Sequence, residues 1–271
     1  MITPNVGEPR GILNPETGRK KFHLSLHAPA HDLALFIEHY WIIDWDLRGQ
    51  EPYLSETLPH PCVHLVIEQN QSRIVGVVRG RFSYLLTGKG SVFGVKFRPG
   101  AFYPLAKAPV STFTDETIPF QDAFGMESAP LEEALLSRKN NETMILLMED
   151  FLRARPLEPD DNIGVIRQIV DHIMTDRAIT KVDNVVQQLA INKRALQRLF
   201  SQYVGVSPKW VIKRYRLHEA AERLAAGEVV AWPQLALDLG YFDQAHFIND
   251  FKAIVGKAPA EYARSLGLDC F

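Results

Sequence analysis

The chain has 271 residues, 46% of them apolar, and carries 30 Lys and Arg against 32 Asp and Glu for a formal net charge of −2. This is enough apolar material for a well-buried core, and the length suits two ordinary domains better than one. No run of about eighteen apolar residues is present and the start, Met1 to Lys21, is polar and rich in Pro and Gly, so neither a membrane span nor a signal peptide is expected and the reading predicts a soluble, cytoplasmic protein. The two cysteines, Cys62 and Cys270, form no Cys-x-x-Cys pair, which excludes a structural zinc ribbon and argues against a disulfide framework.

In chain order, residues 1 to about 30 read as a loop or tail punctuated by Pro and Gly. His31 to Trp45 is crowded with apolar residues and predicts a short helix running into a strand. Leu58 to Glu68, Ile74 to Val78, Arg81 to Leu86 and Ser91 to Phe97 read as strands, separated by turn signals such as Gly80, Gly88 and Pro99-Gly100. The pattern predicts an α+β amino-terminal domain with a small sheet or barrel. Leu131 to Arg153 reads as one long amphipathic helix, ending in the linker Arg155 to Asp161. Residues 1–155 are therefore expected to form one domain and residues 163–271 a second, all-α one.

Beyond the linker, apolar spacing predicts helices over Ile163–Met174, Val182–Leu189, Asn192–Tyr203, Lys209–Ala226, Pro233–Leu239 and Asp243–Ile254. The segment contains one pattern twice. Ile191, Asn192, Leu196, Phe200, Gly205, Pro208 and Val211 recur 51 residues later as Phe242, Asp243, Phe247, Phe251, Gly256, Pro259 and Tyr262. Each copy places a capping residue before apolar residues at helical spacing, then a Gly that ends the helix and a Pro that cannot continue it. Each is the second helix of a helix-turn-helix, and Ser207-Pro208 opens the long helix that joins them.

Charge follows the same division. From Ile163 onward there are 14 basic and 11 acidic residues, net +3, which leaves net −5 for the residues before it. Between Asn192 and Arg223 eight basic residues (Lys193, Arg194, Arg198, Lys209, Lys213, Arg214, Arg216, Arg223) face only Glu219 and Glu222. Such a cluster reads either as a solvated helix face or as a polyanion site.

The residues Leu196-x-Arg198-x-Phe200, Gly205-x-Ser207-Pro208, Arg216-Leu217-x-x-Ala220, Leu235-Ala236-x3-Gly240-Tyr241-Phe242-Asp243-Gln244-Ala245-His246-Phe247-x3-Phe251-Lys252 and Gly256-x-x-Pro259 together resemble the DNA-binding domain of the AraC/XylS family of bacterial transcription regulators, over roughly Ile163 to Arg264. The first half is similar, through Leu58 to Val66 and Gly94 to Gly100, to the amino-terminal domain of an uncharacterised subgroup of that family. The resemblance implies a transcription regulator, activator or repressor being left open, that places one recognition helix in each of two consecutive major grooves of promoter or operator DNA. It implies RNA polymerase, a small-molecule effector and a second copy of the chain as partners, no cofactor, and no enzyme activity. The connecting helix of about 18 residues spans about 27 Å at 1.5 Å per residue, compatible with helices seated about 34 Å apart in successive turns.

On the first recognition helix Asn192, Lys193, Arg194, Gln197, Arg198 and Ser201 face solvent; Arg194, Gln197 and Arg198 match family positions that touch bases or phosphates, and Arg and Gln can pair with guanine and adenine. On the second, Gln244, Ala245, His246, Asn249 and Lys252 are the expected DNA-facing set. Asn249 stands where the family often has Arg, and Asp250 sets a negative charge beside the phosphate track, so the second helix is expected to grip less strongly. His246 reads equally as a phosphate donor or a packed residue, and Tyr241, Phe242 and Trp232 read as core residues of the turn.

In the first half His60, Cys62 and His64 alternate along the expected strand and would share one face, but neighbours there stand almost 7 Å apart, too far for one zinc without strong twisting. No catalytic motif accompanies them. Most of the aromatic residues are core, while a few, with His60, His64, Arg81 and Arg98, are candidates to line an effector pocket. Leu131 to Arg153 is the candidate dimer surface. A metal-binding or catalytic barrel tethered to a DNA-binding domain stands as the alternative.

Overall fold

The computed structural model describes residues 11–138, 140–228 and 231–267; the polar start at residues 1–10 and Cys270 lie outside the described residues. Among the described residues of the first half eight strands form: β1 (His23–His27), β2 (Ile37–Asp46), β3 (Tyr53–Thr57), β4 (His64–Ile67), β5 (Arg73–Val75), β6 (Phe82–Leu86), β7 (Lys89–Phe97) and β8 (Thr117–Pro119). Six make an antiparallel sheet in the order β1-β2-β7-β4-β5-β8, while β3 and β6 pair as a separate ribbon.

Alternation along the two longest strands decides the layers. Tyr40 and Ile42 of β2 lie opposite Val95 and Phe93 of β7, and Leu65 of β4 lies beside Val95. All five are at most 1% exposed and face the main core. The residues between them, with Trp41 opposite Gly94 and Val66 beside it, point to the other face. There Trp45, Leu47, Val66, Val75, Leu86 and Val92 form a smaller core with Trp41, Tyr53 and Tyr84 at its margin.

Three expectations for this half are corrected. The supposed tail contains a short helix, α1 (Pro15–Arg19), and β1. The strand at Leu58–Glu68 begins only at His64, because Pro59 and Pro61 offer no N–H to a ladder. After the short helices α2 (Tyr103–Ala106) and α3 (Phe120–Phe124), the single helix at Leu131–Arg153 is two, α4 (Ala129–Leu136) and α5 (Asn141–Arg153). The second starts afresh at Asn140, whose side chain accepts from the Glu142 N–H at 2.8 Å. Leu135, Met144, Met148 and Leu152 of this pair are buried in the main core, on the chain's own sheet.

The remaining helices are α6 (Asp161–Thr175), α7 (Val182–Leu189), α8 (Lys193–Leu199), α9 (Pro208–Ala225), α10 (Trp232–Asp238), α11 (Gln244–Val255) and α12 (Pro259–Ser265). After α8 the chain widens over Phe200–Val204, where the Gly205 N–H reaches the carbonyl of Phe200 at 2.8 Å. The cores of this half are not complete in themselves. Ile163, Ile166, Leu196, Phe200 and Val211 share one unbroken apolar core with the sheet, and Leu13 and Leu58 join the second core beside Phe247, Phe251 and Tyr262.

Both repeats end on a glycine in the left-handed region, Gly205 at φ 88° and Gly256 at φ 85°. At Gly256 a Cβ would also lie 2.0 Å from Nη1 of Arg81, which donates to the Val255 carbonyl at 3.1 Å. Gly256→Ala is expected to lower stability by about 1–2 kcal/mol from backbone strain, with displacement of Arg81 added. Urea unfolding of the full chain checks this; an unchanged midpoint would contradict it.

Candidate nucleic-acid interface

The two helices expected to be recognition helices are α8 and α11, and each is started by its cap. Asn192 accepts from the N–H groups of Arg194 (2.9 Å) and Ala195 (3.3 Å), and Asp243 from that of His246 (2.7 Å). Leu196 and Phe200 in the first unit, and Phe247 and Phe251 in the second, are fully buried. Their burial turns Asn192, Lys193, Arg194, Gln197, Arg198 and Ser201 outward, all exposed, and likewise Ala245, His246, Asn249 and Lys252, with Gln244 half-buried. Ser201 also meets Ser111, Oγ to Oγ, at 3.4 Å, so the far end of the first helix rests on the sheet domain.

The fate of the basic cluster discriminates between its members. Arg214 and Arg216 are 1% and 2% exposed. The first donates to the carbonyls of Arg79 (2.5 Å) and Gly80 (3.1 Å), the second to the carbonyl of Ile173 (2.6 Å) and to Glu219 (2.9 Å). Lys213 pairs with Asp250 at 2.6 Å, Arg223 with Glu228 at 2.7 Å and Lys193 with Asp183 at 2.7 Å. Among the described residues, Arg194, Arg198 and Lys209 have no ion-pair partner. Two of these three lie on the outward face of α8.

The second helix offers less charge. Asp250 is only 17% exposed, held between Lys213 and, at 3.4 Å, Nε2 of His246. Its carboxylate therefore sits inward and largely compensated, rather than bare beside the phosphate track. The His246 ring also meets Tyr241 edge-on at 5.2 Å. Trp232 and Tyr241 pack against the second core, but Phe242 does not: it is 91% exposed, so its placement in the core of the turn is corrected. Its repeat partner Ile191 is packed against the main core, but in the second unit Tyr241, 5.5 Å from Phe247, takes that packing instead.

The four candidate effector residues do not converge. His60 lies outside the sheet and stacks on His218 of α9 at 4.5 Å. His64 accepts from Nε1 of Trp41 at 3.2 Å on the sheet. Arg81 pairs with Glu56 at 3.1 Å and reaches the end of α11, while Nε of Arg98 donates to the Ala34 carbonyl at 2.7 Å. The common face expected for His60, Cys62 and His64 is absent as well, because only His64 is in a strand; Cys62 is buried with Sγ 3.9 Å from Glu38. Among the described residues no three His, Cys, Asp or Glu side chains gather as a metal ion would require. Among them, too, no helix is long and apolar enough to cross a membrane.

Comparison with known proteins places these features. Residues 185–265 match a family model described as a helix-turn-helix domain, and residues 25–119 one described as a domain of unknown function. An uncharacterised HTH-type transcriptional regulator of Haemophilus influenzae is 29% identical over 89 residues, which is 32% of this chain and 29% of that relative; the match thus spans less than a third of the relative's length. Among solved structures, the C-terminal domain of AraT, a response regulator from Geobacillus stearothermophilus, shares 25% identity at a TM-score of 0.34, covering 36% of this chain and 83% of that one. ToxT from Vibrio cholerae shares 16% at a TM-score of 0.39, covering 91% and 98%.

The polar side of the sheet sets a pH dependence. An indole N–H can only donate, so Nδ1 of His64 accepts from Trp41 and the ring is neutral. Removal from water, and then the Lys96 ammonium, push the His64 pKa down to about 3, and the same causes push His39 down to about 4. In the unfolded chain both rings titrate near 6.5. Between about pH 6.5 and 4 the unfolded state therefore binds more protons, and stability falls as pH falls through that window. Burial pushes Glu38 up, but Lys96 at 2.9 Å outweighs it and holds the carboxyl below its ordinary value, so its contribution is lost only under about pH 4.5. His64→Gln is expected to flatten the loss of stability between pH 7 and 5, measured by urea unfolding; an unchanged slope would remove His64 as a cause.

Proposed function

We propose that this chain, a member of the AraC family of helix-turn-helix transcription regulators, binds promoter or operator DNA with α8 and α11 in successive major grooves and draws most of its grip from α8. The observation that carries the reading is the outward, unpaired placement of Arg194 and Arg198 on the capped first recognition helix, while five of the other six cations of the cluster are tied to carboxylates or carbonyls. An arginine already in an internal ion pair has little to offer a phosphate or a guanine edge; an exposed one on the groove-facing side has its donors free. Gln197 between them can take adenine. α9, with 18 residues and a length of about 27 Å, holds the second helix at a distance suited to the next turn.

In this reading residues 1–155 are the controlling domain and residues 163–271 the DNA-binding one. Contacts already couple them close to the reading heads. Thr114 Oγ1 donates to the Gly205 carbonyl at 2.7 Å, Gln202 Nε2 donates to the Tyr103 hydroxyl at 2.7 Å, and Arg81 holds the end of α11. A small-molecule effector or a second copy that shifts the sheet domain would act through these contacts, and RNA polymerase is the onward partner. Among the described residues no observation favours the metal-binding or catalytic alternative.

Arg194→Ala and Arg198→Ala are each expected to weaken binding to a specific duplex by about 1–3 kcal/mol and to relax preference in one groove. Asn249→Ala removes at most a neutral hydrogen bond and is expected to cost about 0.5–1.5 kcal/mol. Asn249→Arg should tighten binding with little regard to sequence, since Asp250 is already engaged by Lys213. Titration against specific and scrambled duplexes at two salt concentrations checks all four; steep weakening with salt is expected. An Asn249→Ala loss equal to that of Arg198→Ala, with the fold retained, would show that α11 shares the load equally.

A further inference from the structure

The internal repeat gives Phe242 a reference, and against it the ring is misplaced. It occupies the position of Ile191, one residue ahead of the cap. An apolar residue there commonly packs on the fourth residue of the helix and fixes the entry of the chain, and Ile191 is packed on the core that contains Leu196. In the second unit Tyr241 has taken over this packing, with its ring 5.5 Å from Phe247. The turn before it is tight: Gly240 has φ 81°, and a Cβ there would come 2.3 Å from Cβ of Thr180. Phe242 is left 91% exposed, beside Asp243, at the N-terminal end of α11.

We infer that Phe242 is a sequence-reading residue that meets the 5-methyl group of a thymine at the edge of the major groove. The inference rests on the DNA-binding reading given above and adds to it a contact of different chemistry. The N-terminal residues of a recognition helix are those that reach base edges. α11 is poor in charge for this task, because Asp250 draws on both Lys213 and His246. The thymine methyl is the apolar group the major groove displays, and Phe is a side chain that recognises it. Discrimination in the second half-site then comes from an apolar contact where the first half-site uses arginine.

The test uses the full chain and duplexes it selects from a randomised pool, with thymines of the second half-site replaced singly by deoxyuridine, which lacks the methyl group. The wild-type chain is expected to lose about fourfold in affinity at one such thymine. Phe242→Ala should lose about tenfold on the thymine duplex and show no further loss on deoxyuridine, while Phe242→Leu keeps part of the sensitivity. Leu237, 58% exposed in α10, is the control: Leu237→Ala should bind DNA as the wild type does. The exposed position lets Phe242→Ala fold, and an unchanged unfolding midpoint verifies it. Unaltered DNA affinity in Phe242→Ala, full deoxyuridine sensitivity in that variant, or the absence of any sensitive thymine would overturn the inference and leave the DNA-binding reading standing. A pool from which nothing is enriched would overturn both.

Discussion

Everything that faces outward in the carboxy-terminal half depends on how α9 is fixed, and α9 is fixed by burying its own charges. A guanidinium removed from water costs several kcal/mol unless its donors are met. Arg214 meets this cost in part: its Nη2 donates to the carbonyls of Arg79 and Gly80 and the guanidinium lies over the Trp210 ring at 4.7 Å, while Nε and Nη1 are buried without a hydrogen-bond partner among the described residues, and burial pushes its pKa down to about 10. Arg216, two residues on, is tied to Ile173 and Glu219. These bonds are directional, so they set the rotation of α9 about its axis and its position along it. With Ser207 capping its start through the Trp210 N–H at 3.2 Å, the helix is an aligned beam with one helix-turn-helix at each end.

The same arrangement sorts charge by use. Four of the five cations on α9 are tied within the protein, whereas Arg194 and Arg198 of α8 have no ion-pair partner among the described residues. A net local charge is thus a poor guide to a binding face, since most of the apparent surplus between Asn192 and Arg223 is consumed internally. The asymmetry between the two recognition helices follows from it: Lys213 of α9 turns toward α11 and neutralises Asp250, which joins the second unit to the beam and removes two charges from the surface at once.

What was legible in the sequence was local. The caps Asn192, Ser207 and Asp243 and the stops Gly205 and Gly256 each act within a few residues of themselves, and the structure places them where the repeat implies. Strand alternation located most of the sheet for the same reason. The break between α4 and α5 was also written locally, in Asn140, but a continuous apolar pattern on both sides masked it. What was not legible depends on residues far apart. That Arg214 finds the 79–80 loop, that Leu13 and Leu58 complete the second core, and that His60, His64, Arg81 and Arg98 go to four separate places are facts of tertiary packing. Phe242 is a mixed case: the repeat identified its position, but Tyr241 next to it competes for the same packing site and wins.

The central claim is that α9 holds two reading heads in fixed register on one face of DNA, the first gripping more firmly. Hydroxyl-radical footprinting of the full chain on its bound duplex tests this most directly. The account predicts two protected segments on one face, centred about one helical turn (10–10.5 base pairs) apart, with the segment under α8 persisting to higher salt. A single protected segment, or two whose spacing varies among bound sites, would contradict it.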